Sequence, residues 1–404
     1  MTDGTDLETR SPADRAAALA EILPEQIARA AALPGYGALA GIEPSRIRTP
    51  DDLAGLPVLR KSDLVEAQGA RPPFGGLAAA DAPFTHLFQS PGPIYEPGRA
   101  DGDWFRLGRF LRACGIGAGD VVQNCFGYHL TPAGMMFDAA ARSVGAAVIP
   151  AGTGQTELQA RAAAHLGATA YAGTPDYLKA VIEKADALGL RLAITRAAVS
   201  GGALFPSLRD WYRDRGIACR QCYATADLGN IAYESEAMEG LIVDEGVVVE
   251  IVTPGTGDPV PDGDVGEVVV TSLAPEYPLI RFATGDLSAV LPGRSPCGRT
   301  NTRIRGWMGR ADQTAKIKGM FVRPEQVAEL VRRIGADRAR VTVTREAEAD
   351  TMHVAVEADP APGAEALDAA VRDVLKLRGS VETVAPGTLP RDGRVIDDQR
   401  DYET

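Results

Sequence analysis

Residues 120–152 read "DVVQNCFGYHLTPAGMMFDAAARSVGAAVIPAG", and the order of elements in them decides the fold. "DVVQNCF" reads as a strand, "AGMMFDAAARSVG" as a helix and "AAVIPAG" as a second strand. A strand, a covering helix and a strand in one short span make a parallel βαβ unit. The pattern continues on both sides. Upstream, "WFRLGRFLRACG" (104–115) reads as a helix. Downstream, "TELQARAAAHLG" (156–167), "PDYLKAVIEKADALG" (175–189) and "SLRDWYRDRG" (207–216) read as helices. They alternate with the strands "ATAYAG" (168–173), "RAAVSGG" (196–202) and "IACRQCYAT" (217–225). Such alternation predicts a mostly parallel sheet covered on both faces, with ligands in the loops at the carboxyl ends of the strands.

The flanks differ from this centre. Residues 12–33 form an Ala-rich amphipathic pattern, and "TPDDLAGLPVLRKSDLVEA" (49–67) reads as two short helices begun by the capping residues Thr49 and Ser62. After residue 235, "LIVDEGVVVEIVTP" (241–254), "VGEVVVTSL" (265–273) and "PLIRFATGDLSAVL" (278–291) are strands joined by Gly, Pro and Asp turns. They predict an antiparallel β unit resembling a distorted barrel. Beyond "GRADQTAKIKG" (309–319), helices at 323–335 and 364–379 and strands at 338–346, 351–359 and 380–386 predict a small α+β domain. The expected organisation is α/β: a large N-terminal domain over 1–311 and a small mobile C-terminal domain over 312–404, hinged at Asp312.

Composition bounds the function. At 404 residues the chain exceeds one ordinary core, and about two or three domains are expected. A formal net charge of −12 argues against a nucleic-acid or anionic-membrane partner, since both require clustered Lys and Arg. An acidic chain can still bind a nucleotide through backbone N–H groups and a few placed cations. No apolar run approaches the roughly 20 residues that span a bilayer. The acidic opening "MTDGTDLETRSPADR" is not a secretory signal. Five cysteines, an odd number, make no disulfide framework and fit a cytoplasmic protein.

The most specific chemistry lies in "YPLIRFATGDLS" (277–288). A strand is expected to end at Thr284-Gly285-Asp286 and to present a carboxylate able to accept both hydroxyls of a ribose. Alone, Thr-Gly-Asp reads as a common turn; the segments that follow it change that reading. Further on, Arg310 and Asp312 in "GRADQTAKIKGMFVRPEQVAEL" precede a strand, a glycine turn and a helix opened by Pro324.

Together these segments resemble the adenylate-forming enzymes, in the branch of phenylacetate–CoA ligase and coenzyme F390 synthetase. "PLIRFATGDL", "SPCGR", "GRADQ" and "AKIKGMFVRPEQVAEL" stand where the family carries "PLIRYRTGDL", "CPCGR", "GR-D-D" and its following strand and helix. The segment from Asp120 to Gln159 and "TGDPVPDGDVGEVVVTSL" extend the likeness over roughly residues 20–400. The resemblance implies a ligase that uses ATP, Mg²⁺ and coenzyme A to turn a carboxylic acid into acyl-AMP and then acyl-CoA. It allows a homodimer and implies no nucleic-acid or membrane partner. It assigns Asp286 to the ribose hydroxyls, Arg310 to ribose or phosphate, Tyr223 to the adenine face, and Gly201, Gly202 and Ala203 to a backbone wall beside adenine. Phe126, Tyr128 and His129 fall on the acyl pocket. The bland reading of these three is a core aromatic cluster at a strand end.

Four departures bear on that activity. "HLFQSPGPIYEPG" (86–98) stands where the family carries "SSGTTGKPT", the grip on the β- and γ-phosphates. Ser90, Gly92 and Pro97 remain, the lysine is absent, and Glu96 adds negative charge. Pro91 and Pro93 remove backbone donors, so the stretch is expected to be an ordered lid or turn. In "YATAD", Ala226 replaces a hydroxyl and Asp227 replaces the family's metal-binding glutamate, with Mg²⁺ binding still feasible. "LPRDGRVID" lacks the family's C-terminal lysine, and Arg394 either replaces it or matches a later arginine. A structural zinc found in some members would fall on Ser235, Ile242, Ser295 and Cys297, one ligand of four, so no zinc is expected. Cys219 and Cys222, three apart on a strand, should diverge. These losses leave an alternative reading: a divergent member that binds or uses a preformed acyl-adenylate or acyl-CoA.

Overall fold

The computed structural model describes residues 5–99, 101–311, 313–346, 349–390 and 394–400. It divides into two compact units, Met1–Leu204 with Arg209–Trp307, and Phe205–Leu208 with Met308–Thr404. The expected hinge, Asp312, lies outside the described residues.

The first unit is built on a nine-stranded sheet. Ala147–Pro150, Val121–Asn124, Ala170–Gly173, Arg196–Val199 and Ala218–Thr225 run parallel, joined by the anticipated helices. The inner strands Ala170–Gly173 and Arg196–Val199 are mostly apolar and buried, as strands covered on both faces must be. Gly229–Glu234, Leu241–Val243, Arg303–Ile304 and Val290–Leu291 continue the sheet antiparallel. The helices Gly108–Ala113 and Ala133–Ser143 pack on it through Phe110, Leu111, Met136 and Phe137, all buried. Each such side chain contributes about 1.5–3 kcal/mol by leaving water.

Four expectations change here. The helix foreseen over 104–115 is only Gly108–Ala113, because Arg106 takes a left-handed φ of 64° and Asp103 caps the new start through the Gly108 N–H (2.7 Å). The strand foreseen over 241–254 is two strands in different sheets. The chain breaks at Asp244, whose buried carboxylate accepts from Gly246 N (2.8 Å) and pairs with Arg106 (2.9 Å) and Arg109 (3.2 Å). Thr49 does cap Pro50–Leu53, with Asp52 completing a capping box. Ser62, however, lies inside the helix Lys61–Ala70, and Asp63 accepts the Arg60 N–H that precedes it. Lastly, no closed barrel forms among the described residues. Val247–Val252, Gly266–Ser272 and Phe282–Ser288 make an open antiparallel sheet, and Leu59–Arg60 adds to it in parallel beside Phe282–Ala283.

The second unit has the expected α+β character. Ser380–Val384, Ala349–Glu357, Arg338–Glu346 and Ile396–Asp398 form a mixed sheet in that order. Helices Pro324–Ile334 and Ala364–Leu375 cover it through Val327, Leu330, Leu367 and Val371. No helix among the described residues is long and apolar enough to cross a membrane.

Candidate functional site

Asp286 sits in mid-strand. The pairs Glu267↔Leu287 and Val269↔Ala283 leave one residue on one strand opposite three on the other, so Thr284, Gly285 and Asp286 bulge out of the ladder. Gly285 takes φ +75°, which only glycine adopts without strain. Thr284 Oγ1 ties the bulge down by donating to Val268 O (3.0 Å) and accepting from Asp286 N (3.1 Å). The expected strand-end turn is thus a bulge that aims a carboxylate. Asp286 is buried, and both its oxygens are held: Oδ2 accepts from the Tyr223 hydroxyl (2.8 Å) and Oδ1 from Trp307 Nε1 (3.0 Å). Tyr223 comes from the end of Ala218–Thr225, next to a second bulge.

The phosphate-loop stretch folds as a hairpin. His86–Ser90 pairs with Ile94–Gly98, and Pro91, Gly92 and Pro93 form the tip. Ser90 and Glu96 face the interior, and the Ser90 hydroxyl donates to Glu96 Oε1. Glu96 is fully buried. Burial and the nearby charge of Asp227 push its carboxyl up to about 7, against the opposing effects of Ser90 and Lys61. Asp227, in the turn after Ala218–Thr225, has a fully buried carboxylate whose Oδ2 accepts from Lys61 Nζ at 2.6 Å. Asp227 Oδ1 and Glu96 Oε2 are buried acceptors with no hydrogen-bond partner. Asp227 Oδ1 is a hard oxygen, the donor type that Mg²⁺ takes.

The other candidates divide. Gly201, Gly202 and Ala203 follow Arg196–Val199 at the carboxyl end of the parallel sheet; Gly201 has φ +73°. Ser200 anchors them by donating to Cys222 O (3.0 Å). Phe126 is buried and stacks on Phe137 at 4.4 Å, as a core aromatic does. The Tyr128 hydroxyl accepts from Asn124 Nδ2 (2.7 Å), and burial with the charge of Asp138 holds the phenol above its ordinary pKa. His129 is exposed. Gly92 lies at the hairpin tip. Arg310 and Arg394 belong to the second unit, where Arg394 pairs with Asp397 at 3.3 Å. Cys297 Sγ lies 2.9 Å from Ser295 Oγ. Cys219 and Cys222 are free thiols that burial pushes up to about 12. Among the described residues no group of three or more His, Cys, Asp or Glu is placed to hold a metal.

Sequence reasoning missed Lys61 and Trp307. One signal was present: Lys61 is the only lysine before Lys179 in an arginine-rich chain. Trp307 offered none, because its role depends on a contact across the fold.

No family model matches the chain. Phenylacetate–coenzyme A ligase of Pseudomonas putida is 30% identical over 341 residues, covering 78% of this chain and 75% of its own length. That of Escherichia coli K12 is 30% identical over 343 residues, covering 79% and 76%. The crystal structure of 2-hydroxyisobutyryl-CoA ligase with 2-HIB-AMP and CoA, in the thioesterification state, is similar at TM-score 0.82 and 26% identity. That match covers 98% of this chain and 92% of the other.

Proposed function

We propose that this chain, which belongs to the phenylacetate–coenzyme A ligase family of adenylate-forming enzymes, is an acyl-coenzyme A ligase acting on a small carboxylic acid. In the first step a substrate carboxylate oxygen attacks the α-phosphorus of ATP and pyrophosphate leaves. In the second, the CoA thiolate attacks the acyl carbon and AMP leaves. The observation that carries this reading is the buried Asp286 carboxylate, fixed at a bulge by Tyr223 and Trp307. A carboxylate pre-positioned in this way suits a ribose diol, because no side chain has to be ordered on binding.

The remaining roles follow. Tyr223 and the backbone of Gly201, Gly202 and Ala203 flank adenine. Asp227 holds Mg²⁺, which when bound offsets phosphate charge. Arg310 reaches ribose or phosphate, and Arg394 supplies the charge of the missing lysine. Tyr128 and His129 border the acyl group, and Phe126 supports them from the core. Asp312 is the hinge between the two half-reactions.

A second reading rests on two observations: Glu96 is buried in the hairpin that stands at the family's phosphate loop, and Asp227 is engaged by Lys61. On that reading the chain begins from an activated acyl group. ATP–pyrophosphate exchange across a panel of aryl and alkyl acids decides between them. Exchange with at least one acid is the expected result. No exchange with any acid, alongside thioester formation from synthetic acyl-AMP and CoA, overturns the first reading in favour of the second.

A further inference from the structure

We propose that Ser380, His353 and Glu382 form a second reactive site, a serine nucleophile with its base and a positioning carboxylate, which takes the acyl group of a small activated ester or thioester. All three belong to the C-terminal unit, and the ligase reading gives none of them a task. Strands Ala349–Glu357 and Ser380–Val384 run parallel, with His353 opposite Ser380 and Ala355 opposite Glu382. Side chains two apart on a strand share a face, so Ser380 and Glu382 flank the imidazole from one strand. The contacts follow that register. Ser380 Oγ lies 2.8 Å from His353 Nδ1, and Glu382 Oε1 lies 3.0 Å from His353 Nε2. One tautomer satisfies both contacts: Nε2–H donates to the carboxylate, and Nδ1 accepts from the serine hydroxyl. A hydroxyl becomes a nucleophile when a base is in reach and a third group orients that base, and all three parts are present.

The surroundings agree. Met352 and Val354 are buried in the core under the helices, which turns His353 to the opposite, open face of the sheet, and Ser380 is exposed. The backbone before the nucleophile is tightly held, since a Cβ on Gly379 would come within 2.4 Å of Met352 O. Ser380–Val384 is the outer strand of this sheet among the described residues. Val384 O accepts from Ala358 N (3.4 Å), so by alternation Ser380 and Glu382 also turn their peptide groups inward, and Val381 and Thr383 turn theirs to the free edge. The Val381 N–H, one residue after the nucleophile, thus faces outward where an oxyanion would form. The chemistry balances without a cofactor. Ser380 Oγ bonds to the acyl carbon as its proton passes to His353 Nδ1, and Glu382 stabilises the imidazolium. The C–O or C–S bond breaks, and the leaving alcohol or thiol takes that proton. Water, giving a proton to the same nitrogen, then attacks the acyl-serine, releases the carboxylic acid and restores the hydroxyl. The open face offers little binding energy, so the substrate must carry its own activation, as an aryl ester or a thioester does.

The test uses the full-length chain without ATP or coenzyme A. A fluorophosphonate probe, selective for activated serines, is located by peptide mass spectrometry, and p-nitrophenyl acetate hydrolysis is followed by p-nitrophenolate release. Labelling at Ser380 is expected, with an early burst of p-nitrophenolate and an acetyl group on the same peptide. Ser380→Ala should abolish the labelling and the burst. His353→Gln should slow both by about a hundredfold, the scale of a general base. Glu382→Gln should slow both, and Glu382→Asp, which keeps the charge, should recover part of the loss. Glu365→Gln, exposed on a covering helix, should change nothing. Melting curves check that each variant folds. No labelling of Ser380 in the wild-type chain overturns the proposal. So does a folded Ser380→Ala variant that hydrolyses the ester as fast as wild type, since the imidazole would then act alone, or a folded His353→Gln variant labelled at the wild-type rate. Pyrophosphate exchange reads the ligase assignment separately, so either can fail without the other.

Discussion

Replacing Trp307 with phenylalanine removes one N–H and one of the two indole rings but keeps an aromatic side chain. The indole nitrogen donates to Asp286 Oδ1 at 3.0 Å, while Tyr223 holds Oδ2 at 2.8 Å. A hydrogen bond to a charged acceptor contributes about 1.5–3 kcal/mol. Trp307 is half-buried, so water recovers part of this, and roughly 1–2 kcal/mol should remain, a five- to thirtyfold loss of affinity. The loss should fall on ribose recognition. Calorimetry with AMP, adenosine and 2′-deoxy-AMP separates the contributions. AMP and adenosine should weaken together in Trp307→Phe, and the preference for AMP over 2′-deoxy-AMP should shrink. Tyr223→Phe should behave alike. The double variant should lose more than the sum, because either donor alone still limits rotation of the same carboxylate. Unchanged AMP binding in both single variants, or equal losses for AMP and 2′-deoxy-AMP, would refute the assignment of Asp286 to the ribose.

Other expectations are more local. Asp286→Ala should weaken AMP by roughly one to two decades in the same calorimeter, as loss of a charged hydrogen-bonding group implies. Phe126→Ala should cost about 3–5 kcal/mol in denaturant unfolding, because it empties a stacked core position; a loss below 1 kcal/mol would mean the ring is not core. Asp103 is a pH probe: burial raises its carboxyl to about 6, despite the Gly108 N–H it accepts. Since the folded value exceeds the unfolded one, its stabilising contribution is complete below about pH 4 and is lost as pH rises through 6, by at most roughly 3 kcal/mol. Asp103→Asn should therefore match wild type in melts at pH 4 and exceed it at pH 7.5. Equal gaps at the two pH values would dismiss this account.

Much of the fold was legible because its signals are local. The alternation of apolar strands and helices from Asp120 to Thr225 survives in the structure nearly element by element. The failures share a cause. Asp244 breaks a continuous β pattern because two arginines from the helical flank require its carboxylate, and nothing in "LIVDEGVVVEIV" records them. Arg106 takes a left-handed conformation and sends its guanidinium to Asp244 and to the carbonyls of Leu228 and Asn230, a demand set from elsewhere in the sheet. Gly285 marked a backbone irregularity but not its kind, since a bulge and a turn use the same glycine. The candidate site was read in the same way. Asp286, Tyr223 and Asp227 stood in spaced motifs, whereas Lys61 and Trp307 enter through pairings between distant segments.

The pairing of Leu59–Arg60 with Phe282–Ala283 also orders the birth of the molecule. These two residues are made early, and their partner strand leaves the ribosome more than two hundred residues later. At about 5–20 residues per second the wait is roughly ten to forty seconds. Throughout that time the segment leading into Lys61 has no strand to rest on. The parallel sheet can form first, because its strands are close in sequence. The strand that carries Asp286 is the one that captures Leu59–Arg60, and with it the start of the Lys61 helix. The segments bearing Asp286 and Lys61 can therefore come together only late, and a nascent chain stopped before residue 282 lacks the strand that captures Leu59–Arg60 and carries Asp286.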